Sequence, residues 1–188
     1  MNTGGAKLNN QEIRNCIFNG AFNDLLRQLD SNPAWRTLNK MSPDKKYRFT
    51  KQELILRVFA FEEDLQNYGG KLSKFLNDYM RKYRHADSTL IDAKKAMFTE
   101  VVELALEKIW DGSAPTKINI TIFEGVLVGI AHNLEYLRDA NVEDFKNSFN
   151  NLIASEPFSS EKLKEGLSAK ARVIERMNTA KTIFGPNG

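Results

Sequence analysis

The sequence is short of the residues that most often cross-link small domains or bind metals in them. It has one cysteine, Cys16, and two histidines, His85 and His132. A single cysteine cannot close an intramolecular disulfide, and these three side chains cannot supply the four ligands of a common structural zinc site. We therefore expect a reducing, cytoplasmic setting, and we predict that Cys16, between Ile13 and Ile17, is a small buried hydrophobe.

Long apolar runs and a strong charge of one sign are also missing. The apolar stretch 120–130 contains Thr121 and Glu124 and falls well short of the roughly 20 residues that a membrane span requires. Residues 1–10 lack the features of a secretory signal. Lys and Arg number 27 against 24 Asp and Glu, and a net charge of +3 does not by itself indicate a nucleic-acid partner. We expect no membrane partner, and any basic surface must be local.

Strand-like alternation is scarce, whereas apolar residues recur at helical spacing, as in residues 89–110 and 160–184. Five prolines and eleven glycines fall mostly between these periodic segments. Three pairs have the spacing of a helix capping box: Asn9 with Glu12, Thr50 with Glu53, and Thr121 with Glu124. We predict an all-α fold, an irregular bundle of about eight helices without a sheet, with residues 1–188 forming a single helical domain.

No group of residues has the spacing of a catalytic site. Neither histidine lies in a signature that would pair it with Cys16 or a serine. The consecutive carboxylates 62–64 point in different directions on a helix, which favours a solvated helix end. Glu100, Glu103 and Glu107 share a helix face, but no histidine accompanies them, which favours surface over metal ligands. We predict no catalytic and no metal-binding residue in this chain.

Basic side chains concentrate between residues 71 and 95. The candidates for nucleic-acid binding are Lys71, Lys74, Arg81, Lys82, Arg84, Lys94 and Lys95. Tyr79 and Tyr83 lie among them, so this region would follow a phosphate backbone with aromatic contacts to bases. A solvated helix face is the alternative interpretation.

Two further features concern single charges and anions. Arg57 interrupts an apolar helix, and because an unpaired buried arginine is costly, we predict that it reaches a carboxylate or a carbonyl. The glycines of residues 2–7 expose backbone amides beside Lys7. This segment is not a Walker motif, because no strand precedes it and neither Ser nor Thr follows the lysine. A turn and an anion site both remain open for it.

Three words of the sequence resemble a known family. They are NTGGAKLNNQEIRN at residues 2–15, GAF at residues 20–22, and ELILRVFAF at residues 53–61, with Arg48 before the last word. The chain resembles the C-terminal half of the domain of unknown function 262 family, the GmrSD-type modification-dependent restriction and anti-phage proteins of prokaryotes.

The resemblance implies a helical half that packs against a separate catalytic half. Family members usually place a ParB/sulfiredoxin-like α/β domain first, with an Asp-Gly-Gln-Gln-Arg word associated with nucleotide hydrolysis, and this sequence lacks that word. Asn2, Gly4 and Gly5 would then lie at the edge of a shared site. A nucleoside triphosphate would be the cofactor of the two halves together, and this chain alone would hold none.

These observations leave three hypotheses. The first is a helical module that supports nucleotide-dependent recognition of modified DNA without catalysing a reaction alone. Its partner would be the ParB/sulfiredoxin-like domain or subunit. The second is a self-contained nucleic-acid-binding module that uses residues 71–95. The third is an interaction subunit that forms a homodimer.

Overall fold

The predicted all-α fold is confirmed in the computed structural model, which describes residues 7–41, 49–186 and 188. Its helices are α1 Asn10–Ile17, α2 Ala21–Asp30, α3 Pro33–Leu38, α4 Thr50–Glu63, α5 Leu72–Tyr83, α6 Ser88–Leu104, α7 Ile120–His132, α8 Leu134–Leu137, α9 Val142–Ala154 and α10 Lys170–Ile183. Short 3₁₀ turns lie at Leu65–Asn67 and Glu156–Phe158, and α6 widens into a π-helical turn at Ala105–Ile109. Eight of the helices have seven residues or more, and the described residues contain no strand.

Only one of the three predicted capping boxes forms. The Asn9 side chain accepts from the Glu12 amide while the Glu12 carboxylate accepts from the Asn9 amide. The other two predictions are wrong. Helix α4 begins after Phe49, whose φ of 59° is left-handed, and α7 is capped by Asn119, whose side chain accepts from the Thr121 amide at 2.8 Å. The glutamates of those two pairs are therefore free to make other contacts.

The last helix begins ten residues later than the periodicity predicts. Residues 159–169 form turns, and Gly166 has a φ of +62°, a left-handed value that a helix interior does not contain. Residues outside the loop hold it in place. The Tyr68 hydroxyl donates to the Ser168 carbonyl at 2.6 Å. The Arg176 guanidinium donates to the Leu167 carbonyl at 2.5 Å. This loop consequently lies beside α4 and α10 as one wall of a cleft.

Helix α7 runs through the core and packs against α4, α6 and α10. Two glycines allow α7 to pack closely against its neighbours. A Cβ on Gly125 would lie 2.6 Å from the ring of Phe158 in the second 3₁₀ turn, and one on Gly129 would lie 2.8 Å from the Ala180 carbonyl oxygen of α10. On the other side of α7, the Phe123 ring stacks on buried Trp35 at 6.0 Å between ring centroids. This packing brings residues of α7 and α10 into one site.

Helix α1 turns its polar face inward, and the prediction for Cys16 is wrong. Gln11, Arg14 and Asn15 are buried, whereas Cys16 and its apolar neighbour Ile17 are exposed. The buried face is satisfied by side-chain hydrogen bonds, such as the one that Asn15 Nδ2 donates to Gln52 Oε1 at 2.8 Å. Polar partners on α4 therefore decide which face of α1 is covered.

None of the described helices is long and apolar enough to cross a membrane. Within the same described ranges, no three His, Cys, Asp or Glu side chains converge as a metal ion would require.

Candidate functional site

Five of the seven predicted nucleic-acid-binding residues lie on α5 or directly next to it in the chain, with their side chains at least partly exposed: Lys71, Lys74, Arg81, Lys82 and Arg84. We refer to these five as the α5 surface. Lys95 is exposed on α6, beside residues at the end of α2. Carboxylates neutralise three of the five cations of the α5 surface. Asp78 pairs with Lys74 at 2.5 Å and with Arg81 at 2.8 Å, and Asp64 lies 3.5 Å from Lys82. The α5 surface is thus less basic than its sequence indicates.

Lys94 does not belong to this surface, and its assignment as a phosphate contact is corrected here. It is only 4% exposed and forms an ion pair with Glu63. Its ammonium group lies 4.2 Å from the centroid of the Tyr83 ring, in a cation–π contact. Tyr79 and Tyr83 donate to the same Glu63 carboxylate at 2.7 and 2.8 Å. Neither tyrosine is therefore free to stack on a base, and the cluster is internal.

A chain of charges crosses the buried side of α4. Arg14 on α1 donates to Glu53 at 2.6 Å, and Arg57 donates to the other oxygen of Glu53 at 2.7 Å. The second guanidinium nitrogen of Arg57 lies 3.4 Å from Glu124 on α7. The prediction that Arg57 reaches a carboxylate is confirmed. Its partners are the two glutamates that the sequence assigned to capping boxes.

The chain of charges ends at a cleft of about 420 Å³ between α4, α7, α10 and the 159–169 loop. We call it the arginine cleft, because Arg57 and Arg176 both line it. Its other lining residues are Phe61, Tyr68, Leu72, Ile120, Thr121, Glu124, Lys164, Glu165, Gly166, Leu167, Ser168 and Val173. An aromatic and aliphatic wall thus surrounds a small number of charged groups, which is typical of a ligand site.

Arg176 gives the arginine cleft its excess positive charge. Glu53 is shared between Arg14 and Arg57, and Glu124 lies against Arg57. No carboxylate of the described residues forms an ion pair with Arg176, which is only 3% exposed. Arg14, Arg57 and Arg176 thus face the two inner carboxylates Glu53 and Glu124, while Lys164 and Glu165 add one charge of each sign at the exposed loop.

Two buried N–H groups in the arginine cleft have no acceptor. The Nε atoms of Arg57 and Arg176 are both buried and lack a hydrogen-bond partner. A buried unsatisfied donor costs about 1–3 kcal/mol, and more when it is charged. Such groups are rare in native proteins, and each calls for a physical explanation. The guanidinium groups that carry these two Nε atoms line the cleft, and an anion bound there would compensate their charge.

Burial shifts the pKa values of the buried carboxyl group and of the buried guanidinium group of the cleft in opposite directions. It raises the pKa of Glu124, and the nearby guanidinium groups of Arg57 and Arg176 offset this only in part. Burial also lowers the pKa of Arg176, against the opposing effect of Glu124. By contrast, burial of Glu53 is outweighed by Arg57 and Arg14, which hold the pKa of Glu53 below its usual range. Burial therefore disfavours the charged forms of both Glu124 and Arg176.

Sequence reasoning found Arg57 but missed Arg176. In the sequence Arg176 stands among Arg172 and Glu175, so that the segment looks like a balanced surface. A better signal was available, because Val173, Arg176 and Ala180 recur at helical spacing and are all buried. An arginine on an apolar helix face is the same signal that identified Arg57.

The residues predicted to lie at a cofactor site, Asn2, Gly4 and Gly5, fall outside the described residues, as does Arg48. Two of the sequence segments that carry the family resemblance are in contact, since Arg14 of the segment 2–15 forms an ion pair with Glu53 of the segment 53–61. Comparisons of the chain with models of known families, with curated proteins and with solved structures found no match.

Proposed function

We propose that this chain is a ligand-binding helical module, not catalytic alone, of a prokaryotic restriction or anti-phage protein that recognises modified DNA with the help of a nucleotide. Its own contribution is to bind an anionic group, such as a phosphate, in the arginine cleft. The resemblance to the domain of unknown function 262 family supports the biological setting. Buried Arg176 lines the cleft without an ion-pair partner among the described residues, and this is the observation that carries the proposal.

The chemistry of the cleft favours phosphate over a neutral ligand. A guanidinium group presents several N–H donors in a planar fork that matches the oxygens of phosphate or carboxylate. Arg57 and Arg176 offer two such groups, and exposed Lys164 adds a third charge at the rim. Water is partly excluded there, so a charge-assisted hydrogen bond is stronger than it would be at the surface.

The test is the heat stability of the chain in inorganic phosphate, with sodium chloride adjusted to keep the ionic strength constant. A ligand at a hundred times its Kd stabilises the folded state by about 2.7 kcal/mol. For a chain of this size that is a rise in Tm on the order of 5–10 °C. We expect this rise for the unaltered chain and its loss in Arg176→Gln, each measured against the same variant without phosphate.

Arg138→Gln is the matched control, because Arg138 forms an exposed pair with Glu100 at 2.7 Å, away from the cleft. It should keep the full response to phosphate. Circular dichroism establishes that Arg176→Gln remains helical, since that variant also loses its hydrogen bond to the Leu167 carbonyl. An equal phosphate response in all three proteins, or none in any, would contradict the proposal.

The α5 surface is a second candidate for contact with a phosphate backbone. The side chains of Lys74 and Arg81 are 72% and 67% exposed, which favours this role, although Asp78 pairs with both. Binding to duplex DNA in a salt series tests this role.

A further inference from the structure

A second group of cations lies directly across the first turn of α7 from the arginine cleft. Lys40, Lys51 and Lys117 line a pocket of about 250 Å³ together with Asn39, Thr116 and Phe123. We call it the lysine pocket. No carboxylate of the described residues lines it. Among the described residues its charge is therefore not balanced from within, in contrast to the α5 surface.

The two sites share one wall. Ile120, the first residue of α7, lines both the arginine cleft and the lysine pocket and is itself half exposed. Along the same helix, Thr121 faces the arginine cleft and Phe123 faces the lysine pocket. A single side chain at the helix start thus separates three lysines from two arginines.

The start of α7 adds to the attraction for anions. The first amides of a helix have no acceptor within it, and the helix dipole places partial positive charge at that end. Asn119 satisfies the Thr121 amide. The start of the helix alone would not define a site, but here it lies between the lysine pocket and the arginine cleft. That cleft contains buried Arg176, which forms no ion pair with a carboxylate of the described residues.

We propose that the arginine cleft and the lysine pocket form one extended site for a ligand with two or more linked phosphate groups, which passes over Ile120. One phosphate binds Arg57 and Arg176, and the next binds Lys51 and Lys117 at the start of α7. This inference rests on the proposed anion site and names its ligand class. It uses none of Asn2, Gly4 and Gly5, which the family resemblance assigns to a nucleotide.

The burial and the pKa of Lys51 agree with this arrangement. Lys51 is half-buried on α4, and burial lowers the pKa of its ammonium group. A neighbouring phosphate would favour its charged form. Lys40 has a different role, because it donates to the Thr116 carbonyl at 3.0 Å and so holds the wall of the pocket.

The experiment compares the affinities of orthophosphate and tripolyphosphate for the full chain by titration calorimetry at constant ionic strength. We expect tripolyphosphate to bind about tenfold more tightly or better, since it adds charge-assisted contacts to two lysines. The double variant Lys51→Ala with Lys117→Ala should lose that gain and should bind orthophosphate as the unaltered chain does. Arg176→Gln should weaken the binding of both ligands.

A matched control removes the same charge from another face. The double variant Lys74→Ala with Lys95→Ala changes exposed lysines of α5 and α6 that line neither site, and it should keep the gain for tripolyphosphate. If both double variants lose the tighter binding of tripolyphosphate equally, attraction to the net charge of the chain explains that tighter binding, and the extended site is wrong. If orthophosphate binds through Arg176 but tripolyphosphate gains nothing, the extended site fails and the proposed anion site stands. If neither ligand binds, both fail.

Two sources of linked phosphates are separated by adding ATP to the same titrations. Binding of ATP at least as tight as that of tripolyphosphate, and equally dependent on Lys51 and Lys117, identifies a nucleotide. If tripolyphosphate keeps its gain while ATP binds no better than orthophosphate, the ligand is a bare phosphate chain. Both outcomes support the extended site and define its ligand.

Discussion

Lys94 shows why a charged residue cannot be assigned to a surface from its neighbours in the sequence. It follows a basic run, yet its helix turns it towards Glu63, Tyr79 and Tyr83. Burial raises the pKa of Glu63, but hydrogen bonds from Lys94 and the two tyrosines outweigh it and hold the pKa below its usual range. The Glu63 carboxylate is thus stabilised both by its ion pair with Lys94 and by the hydrogen bonds that the two tyrosines donate.

We expect Lys94→Met to destabilise the chain by about 2–4 kcal/mol at pH 7, because removing one partner leaves a half-buried carboxylate without its cation. Denaturant unfolding measures the change. Adding Glu63→Gln should recover part of the loss, since it removes the uncompensated charge. As a control, Arg138→Ala breaks the exposed pair with Glu100 and should cost less than about 1 kcal/mol.

The cost of Lys94→Met should depend on pH in one direction. The depressed pKa of Glu63 stabilises the unaltered chain fully above 4.5, the ordinary value, and this contribution is lost as pH falls through the folded-state pKa. The stabilities of the two proteins should therefore converge as the pH is lowered below 4.5. A difference that stays constant from pH 7 down to pH 3 would mean that Glu63 is not the partner that matters.

At the scale of the helix, one cause explains why the first capping box forms and the other two do not. The spacing places a glutamate where it can accept from the backbone amide at the helix start, but side chains from other helices compete for the same carboxylate. Glu12 caps α1, whereas Glu53 binds Arg14 and Arg57. Glu124 is buried against Arg57. A misplaced capping box next to an arginine in an apolar helix is itself a signal of a buried charged site.

The packing of α7 on α10 gives a prediction at the same scale. A Cβ on Gly129 would lie 2.8 Å from the Ala180 carbonyl and 2.6 Å from the Phe184 ring, so α10 would have to shift. We expect Gly129→Ala to destabilise the chain by about 1–3 kcal/mol through overpacking, despite its higher helix propensity. Because α10 carries Arg176, the variant should also weaken phosphate binding.

Gly69→Ala is the matched control for that experiment. Nothing lies within 4 Å of a Cβ at Gly69, so this variant should change the stability by less than about 0.5 kcal/mol and leave phosphate binding intact. Denaturant unfolding and calorimetry report the two effects separately. Equal stability of Gly129→Ala and the unaltered chain would show that α7 and α10 are not as closely packed as the structure describes.

At the scale of the whole molecule, periodicity was enough to predict the fold class and most helices, because apolar spacing reflects which face is buried. It failed where the backbone leaves the helix for local reasons, as at Gly166, and where a polar face is buried, as on α1. The arginine cleft could be predicted only in part. Arg57 can be recognised from the sequence because it interrupts an apolar segment. That it lines the same cleft as Arg176 depends on contacts between residues more than a hundred positions apart.

The overall charge of +3 makes nucleic-acid binding a question of where the positive charge is free. On the α5 surface, Asp78 holds both Lys74 and Arg81, so these two must leave their carboxylate before they can contact phosphate. We therefore expect the chain to bind duplex DNA weakly, with a shallow dependence of affinity on salt. Each phosphate neutralised contributes a slope of about −0.9 in log K against log salt.

Asp78→Asn should release Lys74 and Arg81, tighten DNA binding and steepen that slope by about 1–2, if DNA contacts the α5 surface. Charge reversal at Arg81 and Lys82 should abolish the binding. Glu100→Gln is the control, because it frees Arg138 on another helix with the same change in net charge. If Glu100→Gln tightens binding as much as Asp78→Asn does, DNA responds to total charge alone, and the α5 surface is not its contact.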